Sequence, residues 1–262
     1  MRILILGASG MLGKALVSEG KRLDHEILAP TRREVNLLDD ARLEEYIEAE
    51  KPEVIINSAA MIDHAECEEN PRSAYMINAR PVATLANVCR RLKIELVQIS
   101  SDQCQGPLLN EYAKTKAAGE VFALSIPNSL VVRTNIVGPK NLAWAFRVIE
   151  NDEPVTLYSN YTVSSIDIWS FSKALFEIIA EPSSGIINIG SRESFSKELF
   201  VQTLAEAMGF RLNNVISGTL PKHMNRYPDL KLDVSLAEKW LNYTLPTLQE
   251  VIDQIIRERQ TQ

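Results

Sequence analysis

The sequence predicts an α/β fold, a doubly wound parallel sheet in the N-terminal half followed by a smaller C-terminal α/β lobe. Three observations predict it. Residues 2–6 are a continuous aliphatic run ended by Gly7, as expected of a parallel strand covered on both faces. Further short apolar runs stand at 26–29, 54–57, 96–99 and 129–133, and the intervening segments 11–22, 41–50, 73–92 and 112–124 carry helical periodicity. Such alternation implies right-handed crossovers, with helices on both faces of one parallel sheet.

The first strand runs into Gly7-Ala8-Ser9-Gly10-Met11-Leu12-Gly13, which opens the helix expected at 11–22. Gly7 makes the turn, Gly10 permits close approach of the backbone to a pyrophosphate, and Gly13 lets helix pack on sheet; amide N–H groups at the helix N-terminus then face the phosphates. Lys14 does not make this a P-loop, because Ala8 and Ala15 stand where that motif needs glycine and Ser or Thr. The second strand ends at Thr31-Arg32-Arg33, where two guanidinium groups suit a 2′-phosphate and favour NADP, while Glu34 leaves NAD open. Asn57-Ser58-Ala59-Ala60 closes the third strand with small side chains, as backbone lying against a cofactor requires. Asn70-Pro71 marks the start of the long helix that follows.

The residues with the most chemistry come next. Ser100-Ser101-Asp102 ends the fourth strand, and Tyr112-Ala113-Lys114-Thr115-Lys116 opens the next helix. Tyr112 and Lys116 are four apart and share a helical face. A free tyrosine is a poor proton shuttle near neutrality, and the Lys116 ammonium is expected to lower its pKa. Ser101 can then polarise a carbonyl that receives hydride. After about Gly138 the pattern loosens, with helical segments at 142–150, 166–180, 196–208 and 248–259 and extended ones at 155–158 and 185–189. The expected division is a Rossmann-type NAD(P)-binding domain over 1–138 and a substrate-binding lobe over 139–262, some of whose chain returns to the first.

Composition excludes other classes. A chain of 262 residues with 45% hydrophobic content can bury a large core. A net charge of -6 and no basic run argue against a nucleic-acid partner. Cys67, Cys89 and Cys104, like His25, His64 and His223, are scattered, which predicts neither disulfides nor a metal site. The apolar opening is too short for a signal peptide and no stretch approaches the ~20 apolar residues of a membrane span, so a cytoplasmic protein is expected.

Together these residues resemble the extended short-chain dehydrogenase/reductases, and within them the dTDP-4-dehydrorhamnose reductase (RmlD-like) branch. The likeness extends to Val35-Asn36-Leu37-Leu38-Asp39-Asp40, the run 52–60, Ala65-Glu66-Cys67-Glu68, Ile77-Asn78, the segment 133–138 and the stretch 230–235. It implies an NAD(P)H-dependent 4-ketoreductase acting on a nucleotide-linked deoxysugar. Ser101, Tyr112 and Lys116 would be the catalytic residues. Gly7, Ser9, Gly10, Met11, Leu12, Gly13, Arg32, Arg33, Asn36, Leu37, Ser58, Ala59, Ala60 and Asn78, with Tyr112 and Lys116, would bind the cofactor. Asp102, Asn135 and Arg226 would meet substrate. Members of the family also commonly pair as homodimers, here through the helices over 73–92 and 112–124, with Ala79, Val82, Ala83 and Ala86 as a candidate contact stripe.

The chain departs from the family at three places. Tyr112 follows Ser101 by only eleven positions, Asn135-Ile136 replaces the family's Ser-Trp, and Arg226-Tyr227-Pro228 carries one residue more than its Arg-Pro. Cover for the shortened loop is expected from 138–143, from 158–165 with Tyr161, or from Arg226-Tyr227. Two alternatives stand beside the reductase: an epimerase or dehydratase that retains NAD, and a non-catalytic, NADP-binding regulatory subunit.

Overall fold

Each aliphatic run of the N-terminal half becomes a strand of one parallel sheet in the structure, a computed structural model that describes residues 1–260. Residues 261 and 262, the end of the expected second lobe, lie outside the described residues. The strands are β1 (Arg2–Leu6), β2 (Glu26–Leu28), β3 (Val54–Asn57), β4 (Glu95–Ile99) and β5 (Ser129–Thr134), and the sixth is Gly185–Ile189. Their order runs from the 185–189 strand through β5, β4, β3 and β1 to β2. Every pairing is parallel, with Leu6 opposite Asn57 and Asn57 opposite Gln98. The residues that follow β1, β3 and β4 therefore emerge along one edge, where an open α/β sheet binds its ligands.

Strand alternation decides which helices cover which face. Ile3, Ile5, Val54, Ile56 and Val97 pack with Leu16 of helix α1 (Met11–Arg22) and with Phe171, Leu175 and Phe176 of the helix Ile168–Ile178. Leu4, Leu6, Ile55 and Leu96 point the other way, onto Leu43 and Ile47 of α2 (Asp40–Glu50) and Val82 and Leu85 of a later helix. A third cluster, including Phe146, Phe195, Phe200, Val251 and Ile252, fills the C-terminal lobe.

One feature differs from the sequence reading. The helix expected over 73–92 is two, α4 (Pro71–Asn78) and α5 (Arg80–Leu92), preceded by a short α3 (His64–Glu69). Pro81 has no N–H to offer Ile77 and crowds the preceding turn, so the chain breaks at Ala79. Asp63 caps α3, its Oδ1 accepting the Glu66 N–H at 2.9 Å. The chain of 139–262 that joins the core of the main sheet is the 168–178 helix, the 185–189 strand and Leu232, Val234, Ala237, Leu241 and Leu245.

Helix α6 (Glu111–Ala123) is locked to the sheet by a buried ion pair. Arg133 of β5 donates from Nε and Nη2 to the two oxygens of Glu120 at 2.9 and 2.6 Å, and Ser100 Oγ donates to Oε1 at 2.5 Å. The Glu120 side chain is only 6% exposed. Removing one partner of a buried pair strands the other, so Glu120→Ala should destabilise the protein by about 3 kcal/mol or more. Urea denaturation checks this, with a loss below about 1 kcal/mol, the worth of a surface pair, contradicting it.

Candidate active site

Along the carboxyl edge of the sheet lie two adjoining cavities of about 320 and 380 Å³, which share Gly7, Gly10, Ser58 and Ala60. The first is lined by the glycine turn, by Arg32, Asn36 and Leu37 after β2, and by Ser58, Ala59 and Ala60 after β3. The second continues from Met11, Leu12 and Gly13 to Ser101, Asp102, Tyr112, Lys116 and Asn135.

The glycine turn fits a dinucleotide. Gly7 has φ +81, and a Cβ there would stand 2.7 Å from the Ala59 nitrogen; a Cβ on Gly13 would stand 2.2 Å from the Gly7 oxygen. Only glycine allows strand, turn and helix to come this close. Gly10 caps α1 without a side-chain hydrogen bond and no acidic residue occupies the first turn, so the leading amides are open to a diphosphate. Glu34 is engaged elsewhere, its Oε2 accepting the Thr31 N–H at 2.7 Å and hydroxyl at 2.8 Å. That leaves Arg32 as the charged group on the cavity wall. Arg33 does not line it.

Asn78 also lies off both cavities. It is buried, its Oδ1 accepting the Met61 N–H at 2.8 Å and its Nδ2 donating to the Met61 carbonyl at 3.0 Å and to Thr115 Oγ1 at 3.1 Å. Asn78 thus braces the loop after β3 against α6 and has no direct line to a cofactor.

Tyr112, Ser101 and Lys116 converge on the second cavity. Burial raises the Tyr112 phenol above its ordinary value, opposed in part by the Ser101 hydroxyl. The lowering expected from Lys116 does not offset this. Its Nζ donates to the Ile99 carbonyl at 2.6 Å, which ties it to the end of β4, and burial pulls its pKa down to about 8. Asp102 sits beneath Ser101, 1% exposed, and burial pushes its carboxyl up to about 6. Asn135 bonds to it, with Nδ2 2.6 Å from Oδ2.

Several site residues carried no sequence signal that the motifs supplied. His64 lays its ring against Tyr112, centroids 4.8 Å apart, and burial brings its pKa down to about 4. Gln103 Nε2 lies 3.1 Å from His64 Nε2, and its Oε1 accepts from Asn110 at 3.0 Å. Asn110 was legible as the cap of α6, since its Oδ1 accepts the Ala113 N–H at 2.8 Å. Thr134, whose buried hydroxyl has no partner among the described residues, and Asn141 of the 138–143 loop complete the wall.

The shortened loop is covered from the C-terminal lobe. Tyr227 lies so close to Gly106 that a Cβ there would stand 2.7 Å from its ring, Asn110 Nδ2 donates to the Asn225 carbonyl at 3.0 Å, and Gln105 Nε2 donates to the Lys231 carbonyl at 2.5 Å. Arg226 lines a separate small pocket with His64, Glu68 and Asn110, and its charge reaches His64 and Lys197. Tyr161 is buried beside it, while Ile136 lines the second cavity where the family carries tryptophan. Replacing Gly106 with Val should dislodge Tyr227 and open this end of the site. Faster proteolysis of the 222–231 segment would show it, and unchanged cleavage would contradict it.

Comparison with known proteins agrees with this geometry. A crystal structure described as a hypothetical dTDP-4-dehydrorhamnose reductase from Sulfolobus tokodaii is 28% identical, covering 94% of this chain and 97% of that one at a TM-score of 0.84. The Bacillus anthracis dTDP-4-dehydrorhamnose reductase in complex with NADP has the same fold, with a TM-score of 0.87 over 98% of this chain and 99% of that one at 19% identity. Among curated relatives, the dTDP-4-dehydrorhamnose reductase of Mycolicibacterium smegmatis is 30% identical over 161 residues, 56% of this chain and 46% of that protein. The chain thus spans about half the length of that relative, as it does of the Streptomyces niveus dTDP-4-keto-6-deoxy-D-glucose reductase, at 51%. The Bacillus subtilis spore coat polysaccharide biosynthesis protein SpsK matches at 24% over 87% of this chain and 86% of its own. The model of the RmlD substrate binding domain matches residues 1–261, and this chain belongs to that family.

Proposed function

We propose that this protein reduces a 4-keto group on a nucleotide-linked deoxysugar with NADPH, NADH being a possible substitute. The observation that carries the reading is the placement of Ser101, Tyr112 and Lys116 in a cavity that opens directly into the one lined by the glycine turn. A reduced nicotinamide supplies hydride when bound. The chain's own residues do the rest. Gly7, Ser9, Gly10, Met11, Leu12 and Gly13 would hold the diphosphate, Arg32 the 2′-phosphate, Asn36 and Leu37 the adenosine end, and Ser58, Ala59 and Ala60 the turn between them. Tyr112 delivers a proton to the ketone oxygen, Ser101 orients it, and Lys116, anchored on Ile99, holds positive charge beneath the developing oxyanion. Asn135 and Arg226 bound the sugar and diphosphate ends.

Following NADPH absorbance with a panel of nucleotide 4-ketohexoses generated in situ tests the proposal. No oxidation with any of them, together with stoichiometric NADPH binding, would replace it with a regulatory role. NAD released on denaturing freshly purified protein would point to an epimerase or dehydratase.

No helix among the described residues is long and apolar enough to cross a membrane. We also propose a homodimer, with a revised contact. Val82 and Ala86 of the expected stripe are buried against their own sheet and Ala79 lies beside Gly119 of α6, so the proposed pairing surface is the outer face of α6 and its C-terminal end, where Val121 and Leu124 are 69% and 40% exposed. Sedimentation showing only monomer at micromolar concentration would reject it.

Two further outcomes are expected. Tyr112→Phe removes the proton donor and should lower turnover by roughly 10²–10⁴-fold, the usual worth of general acid catalysis, with NADPH affinity little changed. Near-normal turnover would remove Tyr112 from the mechanism. Arg32→Ala should erase the preference for NADPH over NADH, whereas Arg33→Ala should leave it nearly intact. Calorimetry showing the same change in both variants would contradict the assignment to Arg32.

A further inference from the structure

The hydrogen bonds around Ser101 have a direction. Ser101 Oγ accepts the Gln103 N–H at 3.2 Å and donates to Asp102 Oδ1 at 2.9 Å. A hydroxyl has one proton, so a Ser101 that donates to an ionised Asp102 has none left for a substrate or for Tyr112. On the far side of the carboxyl, Asn135 Nδ2 donates to Oδ2 at 2.6 Å while Asn135 Oδ1 accepts from Ser165 Oγ at 2.7 Å. With Asp102 ionised, a turned amide would set its oxygen against Oδ2. While Asn135 keeps this orientation Oδ2 is an acceptor, and a proton taken up by Asp102 goes to Oδ1, the oxygen facing Ser101. Once there, it reverses the bond: Oδ1–H donates to Ser101, and the serine proton swings free toward Tyr112.

We propose that Asp102 and Ser101 form a proton relay that reloads Tyr112 after each reduction. The inference rests on the reductase reading above. Hydride supplied by a bound reduced nicotinamide would form the new C–H bond and displace the carbonyl π pair onto oxygen, and the Tyr112 O–H breaks as that oxygen gains the product O–H. Ser101 then passes its proton to the phenolate and takes one from Oδ1 of Asp102, and the carboxylate is reprotonated from solvent. Asp102 acts through Ser101 and does not itself touch the reacting atoms.

The neighbours are unsuited to the same task. His64 faces Tyr112, but Gln103 presents it with an amide nitrogen, which can only donate. That orientation is fixed because Gln103 Oε1 accepts from Asn110 Nδ2 and Asn110 Oδ1 accepts the Ala113 N–H. His64 Nε2 is thus an acceptor, and burial with the nearby Arg226 charge keeps the ring neutral above a pH of about 4. Lys116 is tied to Ile99. The groups that face Asp102 are Ser101 and Gln103 on its own turn, Asn135 after β5, Tyr112 of α6, Tyr161 ahead of the Thr162–Val163 strand, and Lys197 at the start of the Lys197–Ala207 helix. Burial outweighs the Asn135 and Ser101 bonds and the Lys197 charge, and the carboxyl titrates near 6, with the proton present below and lost above.

The test pairs infrared titration of the protonated-carboxyl band in the cofactor-free protein with the pH profile of kcat. The wild type should show a band titrating near pH 6 that is absent in Asp102→Asn and shifted in frequency in Ser101→Ala, which deletes its partner. With a 4-ketosugar, wild-type kcat should fall as pH rises through about 6, while Asp102→Asn should run about 10²-fold slower, at the low end of what a positioned proton donor contributes, with a flat profile there. Lys197→Met removes a charge that favours the carboxylate, so it should move the infrared and kinetic midpoints upward together, which a merely structural Asp102 would not do. Glu258, which burial pushes up to about 7, contributes its own band in every variant, so the relay is overturned by a carboxyl titration that Asp102→Asn leaves unchanged from wild type, by wild-type kcat and profile in that variant, or by midpoints that move apart in Lys197→Met. If no ketosugar is reduced at any pH, the reductase reading fails, and the band decides the Ser101–Asp102 coupling alone: a shift in Ser101→Ala supports it and an unchanged frequency overturns it.

Discussion

The carboxylate of Glu120 joins three elements that have to agree to within hydrogen-bond tolerance. Through Arg133 it reaches β5, through Ser100 the end of β4, and through its own backbone the helix that carries Tyr112 and Lys116. A helix resting on a sheet by apolar contacts alone can slide by a fraction of a turn at little cost, since dispersion and burial have no direction. Two parallel guanidinium bonds and a hydroxyl remove that freedom. The distance from Tyr112 to Ser101, on which proton delivery depends, is set by this clamp a full two turns away. The glycine contacts do the corresponding work at the other end, fixing β1 and α1 against the loop after β3.

Burial then sets the charge state of the site. Taking an ionisable group out of water favours its neutral form, and here the same cause acts on groups of both signs. It moves Asp102 up to about 6, His64 down to about 4 and Lys116 down to about 8. Asp102 and Lys116 are drawn toward the neutral range, where small changes in their surroundings decide who holds a proton, while His64 is taken out of it and kept neutral. Perturbed groups gathered in one cleft are what proton-transfer chemistry needs.

How much of this was legible in the sequence follows the range of the interactions. The strands and the glycine turn could be read because a hydrophobic run or a turn is specified by adjacent residues. Tyr112 and Lys116 could be placed on one face because helical spacing is local. The break at Ala79 is also written locally, in Pro81, although the apolar periodicity continues across it. What could not be read were contacts between distant segments. Nothing near Asn78 shows that it holds Met61, nothing near Arg33 shows that Arg32 alone faces the cavity, and nothing near His64 shows that it meets Tyr112. The small-residue stripe on α5 was ambiguous for the same reason, since it suits a partner helix and its own sheet equally.

The cover over Gly106 has a consequence for the order in which the protein is made. The turn, the serine and the tyrosine are all synthesised within the first 116 residues, but Asn225, Tyr227 and Lys231, which close over them, arrive more than a hundred residues later. A chain emerging from the ribosome presents its first five parallel strands long before the sixth, at 185–189, and before the helix 168–178 and residues 232–245 that cover one face of them. In the interval the glycine turn and Tyr112 exist without that face of the core and without the cover over Gly106. The far end of the cavity is closed only once the last fifth of the molecule has been threaded back across it.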